Sequence, residues 1–149
     1  MKRREFGLLG VSAAALGAMQ SVAFAEQNAA HVHDTGGCAE ACSDCQRECD
    51  ACAHHCAMML ADGKKHHMAT LQTCQDCADI CAAASQVVSR EGVMSELICQ
   101  ACADACAKCA KACRTHGSDD KMMTACAKEC EKCEKACRDM LKQVKAAAK

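Results

Sequence analysis

Eighteen cysteines recur along this chain at alternating steps of three and four residues, and that spacing constrains the fold more than any other feature. They fall in four runs: Cys38, Cys42, Cys45, Cys49, Cys52 and Cys56; Cys74, Cys77 and Cys81; Cys99, Cys102, Cys106, Cys109 and Cys113; and Cys126, Cys130, Cys133 and Cys137. A three-four alternation is the a/d pattern of a heptad, so every sulfur of a run lies on one stripe of an α-helix. The intervening residues are mostly Ala, Lys, Glu, Gln and Asp, most of them good helix formers. Glu131–Lys135 and Glu134–Arg138 are spaced to support the outer face as i,i+4 pairs. The chain contains no Pro and shows no strand-like alternation.

Gly63, Gly92 and Gly117 each follow a periodic run, where glycine is the preferred helix stop. Ser118 or Asp119 is placed to cap the helix that follows. The spacing predicts helices over residues 37–62, 66–90, 94–116 and 119–146. Their short connections force neighbours to run antiparallel. The expected fold is all-α, an up-down-up-down four-helix bundle with a cysteine-lined core over residues 38–146.

Such a core is unusual in substance. Leu, Ile, Val and Phe together supply only 18 of 149 residues, too few for an ordinary globular interior. A net charge of −1 argues against nucleic acid as a partner, which calls for a basic face. The N-terminus reads as a targeting segment. Lys2, Arg3 and Arg4 precede a short, Ala/Gly-rich apolar stretch and the triplet Ala23-Phe24-Ala25. Arg3, Arg4 and Phe6 fit a twin-arginine pattern. Residues 1–25 are therefore expected to be a cleaved export signal, giving a periplasmic protein with no membrane partner after cleavage. Residues 26–37 read as a flexible arm. His31 and His33 within it offer a weak Cu(II) signal.

One or two buried cysteines are readily explained as small hydrophobes. Eighteen in register, with few aliphatics beside them, are not. A disulfide framework fits poorly, because Cβ atoms at i,i+3 and i,i+4 lie about 5–6 Å apart and a disulfide needs about 3.5–4.5 Å. Bridges between helices remain open on this count. Thiolates select soft ions: Cu(I), Zn(II) or iron–sulfur clusters. Structural zinc sites usually wrap four ligands from turns, which one helical stripe does not supply. Iron–sulfur runs of the C-x-x-C-x-x-C kind are absent. No C-x-x-C is followed by His, which excludes c-type haem. Cu(I) fits best, because two sulfurs at i,i+4 can be bridged by one ion. The sequence holds eight such C-x-x-x-C pairs. Each bound ion also offsets thiolate charge that would otherwise be costly to bury.

With these residues in view, the chain resembles the bacterial copper storage proteins, a family of cysteine-rich four-helix bundles. The resemblance covers about residues 38–146. The N-terminal pattern resembles the exported, twin-arginine branch, while the cysteine number is closer to the cytosolic, high-capacity branch. The resemblance implies storage of many Cu(I) ions per chain by the core cysteines, in a homotetramer. Two other readings of the residues stay open: broad sequestration of soft metals such as zinc or cadmium, and a thiol redox protein. No catalytic constellation or phosphate loop stands out, so no enzyme is expected. Nothing in the sequence names a protein that accepts the copper.

Extending each stripe by one heptad reaches Met59, His67, His116 and Met123, all at one end of the expected bundle. Thioether and imidazole hold Cu(I) less tightly than thiolate, which suits a graded copper gate. His55, Met58, His66, Met68 and Met122 flank it. The opposite end extends to Ala84, Val88, Met140 and Val144, an apolar plug.

Overall fold

The computed structural model describes residues 35–116 and 119–147. The segment read as an export signal, most of the arm with His31 and His33, and Gly117 and Ser118 lie outside the described residues.

Four helices carry the four cysteine runs: α1 (Thr35–Ala61), α2 (Met68–Ser89), α3 (Ser95–Arg114) and α4 (Lys121–Ala147). Helix α1 starts earlier than expected and takes in the last three residues assigned to the arm. The carbonyls of residues 35–37 accept from N–H groups in the next turn, whose register the first cysteines fix. α2 starts later, at Met68, because Lys65–His67 form a 3-10 turn. α3 ends at Arg114, and the N–H groups of Thr115 and His116 reach back to Ala112 and Cys113, tightening the last turn. His67 and His116 therefore sit in turns rather than on helices.

The stops obey helix-end chemistry. Gly63 has φ +83°. Its N–H bonds to the Leu60 carbonyl at 2.9 Å, and Lys64 N–H bonds to Met59 at 2.9 Å, a Schellman pair. At the end of α2 the left-handed residue is Glu91, at φ +51°, one position before the expected Gly92. Gly92 is needed for closeness instead, since a Cβ there would meet Val87 Cγ1 at 3.0 Å. The cap of α4 is Asp120 rather than Ser118 or Asp119. Its Oδ1 accepts from the N–H groups of Met122 and Met123, each at 3.1 Å. On the surface Arg138 pairs with Glu134 as expected, but Glu131 pairs across to Arg114, and Lys135 takes Asp139.

Each helix packs on its two sequence neighbours, with α1 beside α4 closing the ring. Sulfur contacts fix the directions. Along α1, Cys38, Cys45 and Cys52 meet Cys99, Cys106 and Cys113 in rising order, so α1 and α3 run parallel across the diagonal. Cys38 and Cys49 meet Cys137 and Cys126 in falling order, so α1 and α4 run antiparallel. The bundle is up-down-up-down, as the spacing predicts. All 18 cysteines are buried, and alanines fill much of the space between them. At one end the interior closes over Ala84, Val88, Met140 and Leu141, all buried.

Candidate metal centre

Because each helix places its cysteines on one stripe, the four stripes converge as a single column of sulfur. Neighbouring sulfurs across the column lie 3.6–3.9 Å apart, as in Cys42–Cys137 (3.6 Å), Cys45–Cys106 (3.7 Å) and Cys49–Cys109 (3.9 Å), and Cys77 and Cys81 on one stripe lie 4.0 Å apart. These are free thiols, separated by far more than an S–S bond length of about 2 Å. At a metal–sulfur distance of about 2.3 Å, sulfurs around a three- or four-coordinate ion lie roughly 3.8–4.0 Å apart. The column already has that spacing. Several overlapping quartets have all their sulfurs within 4.8 Å of one another, among them Cys42/Cys102/Cys133/Cys137, Cys45/Cys81/Cys106/Cys133 and Cys52/Cys74/Cys113/Cys126. Cys133 belongs to two of these, so ions seated in adjacent quartets share ligands.

Burial disfavours a bare thiolate anywhere in the column. The Cys56 thiol is pushed up to about 12 by burial, with the sulfurs of Cys52 and Cys113 adding to the effect. Deeper in, neighbours divide the protons. Cys106 is pushed up through its contact with Cys102, and Cys77 is held down through its contact with Cys106. Among the described residues the only buried polar side chains are His67 and Thr70, so no buried lysine or arginine balances a thiolate.

The four stripe extensions meet different surroundings. Met123 is fully buried with its Sδ 3.5 Å from Cys52 Sγ, continuing the column. His67 is buried, and its ring stacks on that of His116 with centroids 4.1 Å apart. Burial lowers the pKa of both imidazoles, and nearby histidines add to the effect. Met59 is half-buried and its sulfur accepts from Lys64 Nζ at 3.2 Å, which places it at the rim. Of the flanking residues, Met58, His66, Met68 and Met122 are exposed, and His55 is half-buried.

Two contributors, Thr70 and Asp120, were not singled out from the sequence, and a third, Met140, was read only as plug. Thr70 Oγ1 lies 2.7 Å from His116 Nε2, and Asp120 Oδ2 lies 3.0 Å from His55 Nε2. Burial pushes the Asp120 carboxyl up, but the Met123 N–H and His55 outweigh it and leave the group below its usual range. At the closed end Met140, read as plug, brings its Sδ to 3.6 Å from Cys99 Sγ. Thr70 and Met140 lie on their stripes, so heptad extension finds their positions, though not their partners. Asp120 carries no periodic signal.

The sequence matches the family described as Copper storage protein over residues 19–142. This chain belongs to the copper storage protein family. Solved structures agree. The cytosolic copper storage protein of Streptomyces lividans, carrying five coppers, is 34% identical with a TM-score of 0.64, over 72% of this chain and 91% of that one. The same protein loaded with ten copper equivalents is 33% identical with a TM-score of 0.62, over 75% of this chain and 92% of that one. The Cu(I)-bound copper storage protein 3 of Bacillus subtilis is 33% identical with a TM-score of 0.65, over 72% and 97%. Comparison with curated proteins finds no match.

These relatives correct one expectation. The periplasmic localisation read from the N-terminus is overturned, because the Streptomyces copper storage protein is described as cytosolic. The family match also begins at residue 19, inside the segment read as removable. A basic start, an Ala/Gly-rich stretch and an A-x-A triplet carry little information in a chain so rich in alanine.

Proposed function

We infer that this copper storage protein holds many Cu(I) ions per chain on the cysteine sulfurs of its core, with copper as cargo rather than cofactor. The observation that carries this is the unbroken column of buried sulfurs at ligand spacing. Charge explains why a monovalent ion suits it. A Cu(I) that displaces one thiol proton leaves the core's charge unchanged, so loading to one ion per cysteine builds up no net charge. Zn(II) in a four-thiolate site carries a net −2, and repeating it along a core without buried cations is costly. The role is one of storage, not turnover, and the chain is not an enzyme.

The ligand set comprises the 18 core cysteines, with Met59, His67, His116 and Met123 as the gate. Burial of Met123 against Cys52 and of His67 beside His116 supports that reading. Loading ends at the far side on the apolar plug. The assembly is a homo-oligomer, a tetramer by family resemblance. No described helix is long and apolar enough to cross a membrane.

Anaerobic titration of the reduced chain with Cu(I) against a competing chelator tests storage. Tight uptake approaching one ion per cysteine is expected. Saturation at roughly one or two ions sinks the reading. A second reading, general sequestration of soft divalent metals, is favoured by the four-sulfur quartets, which fit tetrahedral Zn(II) as well. Competition decides: Cu(I) displaces Zn(II) from a copper store, and the two ions exchange evenly in a general sink.

A further inference from the structure

The cysteine stripe of α4 ends in the same residue on both sides. One heptad step before Cys126 lies Met123, and one step after Cys137 lies Met140. Both side chains are buried, Met123 completely and Met140 to 3% exposure. Each turns its sulfur onto a thiol of a facing helix. The Cys52 thiol donates to Met123 Sδ at 3.5 Å, and the Cys99 thiol donates to Met140 Sδ at 3.6 Å. The column therefore meets a thioether at its closed end as well as at its mouth.

Packing alone does not ask for sulfur at the closed end. Ala84, Val88 and Leu141 are buried there as plain hydrocarbon, and leucine fills a methionine's volume at little cost. What leucine lacks is a lone pair. The last thiols of the column are Cys38, Cys99 and Cys137, with Cys38 Sγ 3.8 Å from Cys99 and 3.7 Å from Cys137. Helix α2 supplies no thiol at this level. Its last cysteine, Cys81, meets Cys102 and Cys106, and its stripe then reaches Ala84. Deeper in, the sulfurs group in fours. At the end three thiols stand together, and Met140 brings the fourth sulfur at the spacing found across the rest of the column.

We propose that Met140 is a Cu(I) ligand, closing a terminal site with Cys99 and with Cys38 or Cys137. No redox step is involved. Cu(I) takes the place of the Cys99 proton shared with the thioether, that proton leaves to solvent, and the charge of the core is unchanged. The thioether adds a soft donor without adding charge. The proposal rests on copper storage as the function of the core and adds a ligand at the end away from the mouth. Position gives that ligand a task. Met140 also lines a surface cavity of about 290 Å³ with Val93, Glu96 and Val144, so its side chain lies between Cys99 and the surface. A thioether bound to the end ion is held in place, and the plug is then apolar outward and a ligand inward.

The test uses the full chain with isotopically labelled methionine methyl groups. Cu(I) uptake is measured first, so that a failure of storage is read separately. The chain is then loaded anaerobically with Ag(I), a soft stand-in for Cu(I) whose nucleus couples to the methyl protons of a bound thioether. The Met140 methyl signal, assigned by its loss in Met140→Leu, should couple to silver, and that of exposed Met94 should not. Met140→Leu should keep the native circular dichroism, yet lose about one Cu(I) per chain to a chelator that leaves the native chain full. Absence of silver coupling at Met140, whether or not the chain loads many Cu(I), would overturn the proposal. So would a folded Met140→Leu that holds its copper as the native chain does. Coupling at Met140 in a chain that takes up only one or two Cu(I) would uphold the end site while storage fails.

Discussion

At one end of the bundle the four stripes run out in Met59, His67, His116 and Met123. At the other, the stripes of α2 and α4 continue to Ala84, Val88, Met140 and Val144. The two ends differ in side chains and in backbone, since His67 and His116 sit in turns while Ala84, Val88 and Met140 lie within helices. The apolar end closes by packing, with Ala84 and Val88 fully buried and Met140 and Leu141 nearly so. The histidine end closes by hydrogen bonds and ring stacking, which leave a buried ring nitrogen unpaired. A heptad stripe thus sets where an interior lies, and its terminal residues decide how each end closes.

Copper should remove most of this contrast. In the metal-free chain, amides near the histidine end are expected to exchange hydrogen faster than those near Val88, because fewer apolar contacts hold them. Loading ties all four helices together along the column, and binding to the folded state alone stabilises it by about 4 kcal/mol at a thousandfold excess over Kd. Hydrogen exchange with and without Cu(I) should show the two ends converging. A persistent difference after loading would mean that the ions do not span the column.

The next largest effect separates packing from access. Met123→Ala and Val88→Ala each truncate a fully buried side chain, and should cost about 2–4 and about 2 kcal/mol in the metal-free protein. Their copper kinetics should differ. Loss of the thioether beside Cys52 slows Cu(I) uptake, whereas truncation at the plug leaves the rate unchanged. Stopped-flow uptake alongside denaturant melts checks this. Equal slowing by both variants would refute a one-mouthed store.

Acid should act on one end only. Burial holds the imidazoles of His67 and His116 below their ordinary value of 6.5. On acidification the unfolded chain therefore takes up protons first. The stability these rings support is complete above about pH 6.5 and falls away as the pH drops below it. Metal-free His67→Gln should lose less stability than the native chain between about pH 7 and 5.5, as read from melts across that range. Val88→Ala should keep the native slope. The smallest effect lies by the plug. Glu91→Gly relieves a left-handed backbone at φ +51° and should gain about 0.5–1 kcal/mol, with copper capacity unchanged.

The contrast also shows what was readable in advance. The three-four spacing of Cys38 to Cys137 determined the helices, their shared interior and the level at which each stripe ends, because a helical period leaves no freedom in which side chains converge. The details of closure depend on turns, where a single backbone angle redirects the chain. Asp120 rather than Asp119 became the cap, Glu91 rather than Gly92 took the left-handed position, and His67 and His116 moved off their helices. The pairing of His116 with Thr70 needed three-dimensional proximity between residues 46 positions apart. The periplasmic localisation was overturned by a relative described as cytosolic rather than by any residue of the fold.

The sulfur column is also too narrow for ions to pass one another. Cys38, Cys42, Cys45, Cys49 and Cys52 touch Cys99, Cys102, Cys106, Cys109 and Cys113 straight across the diagonal at 3.7–3.9 Å. No lumen separates them, so an ion advances only by trading one sulfur for the next. On the one-mouthed loading proposed above, the protein is a stack that keeps the order of its history. The copper taken up last leaves first, and the deepest ions are the oldest.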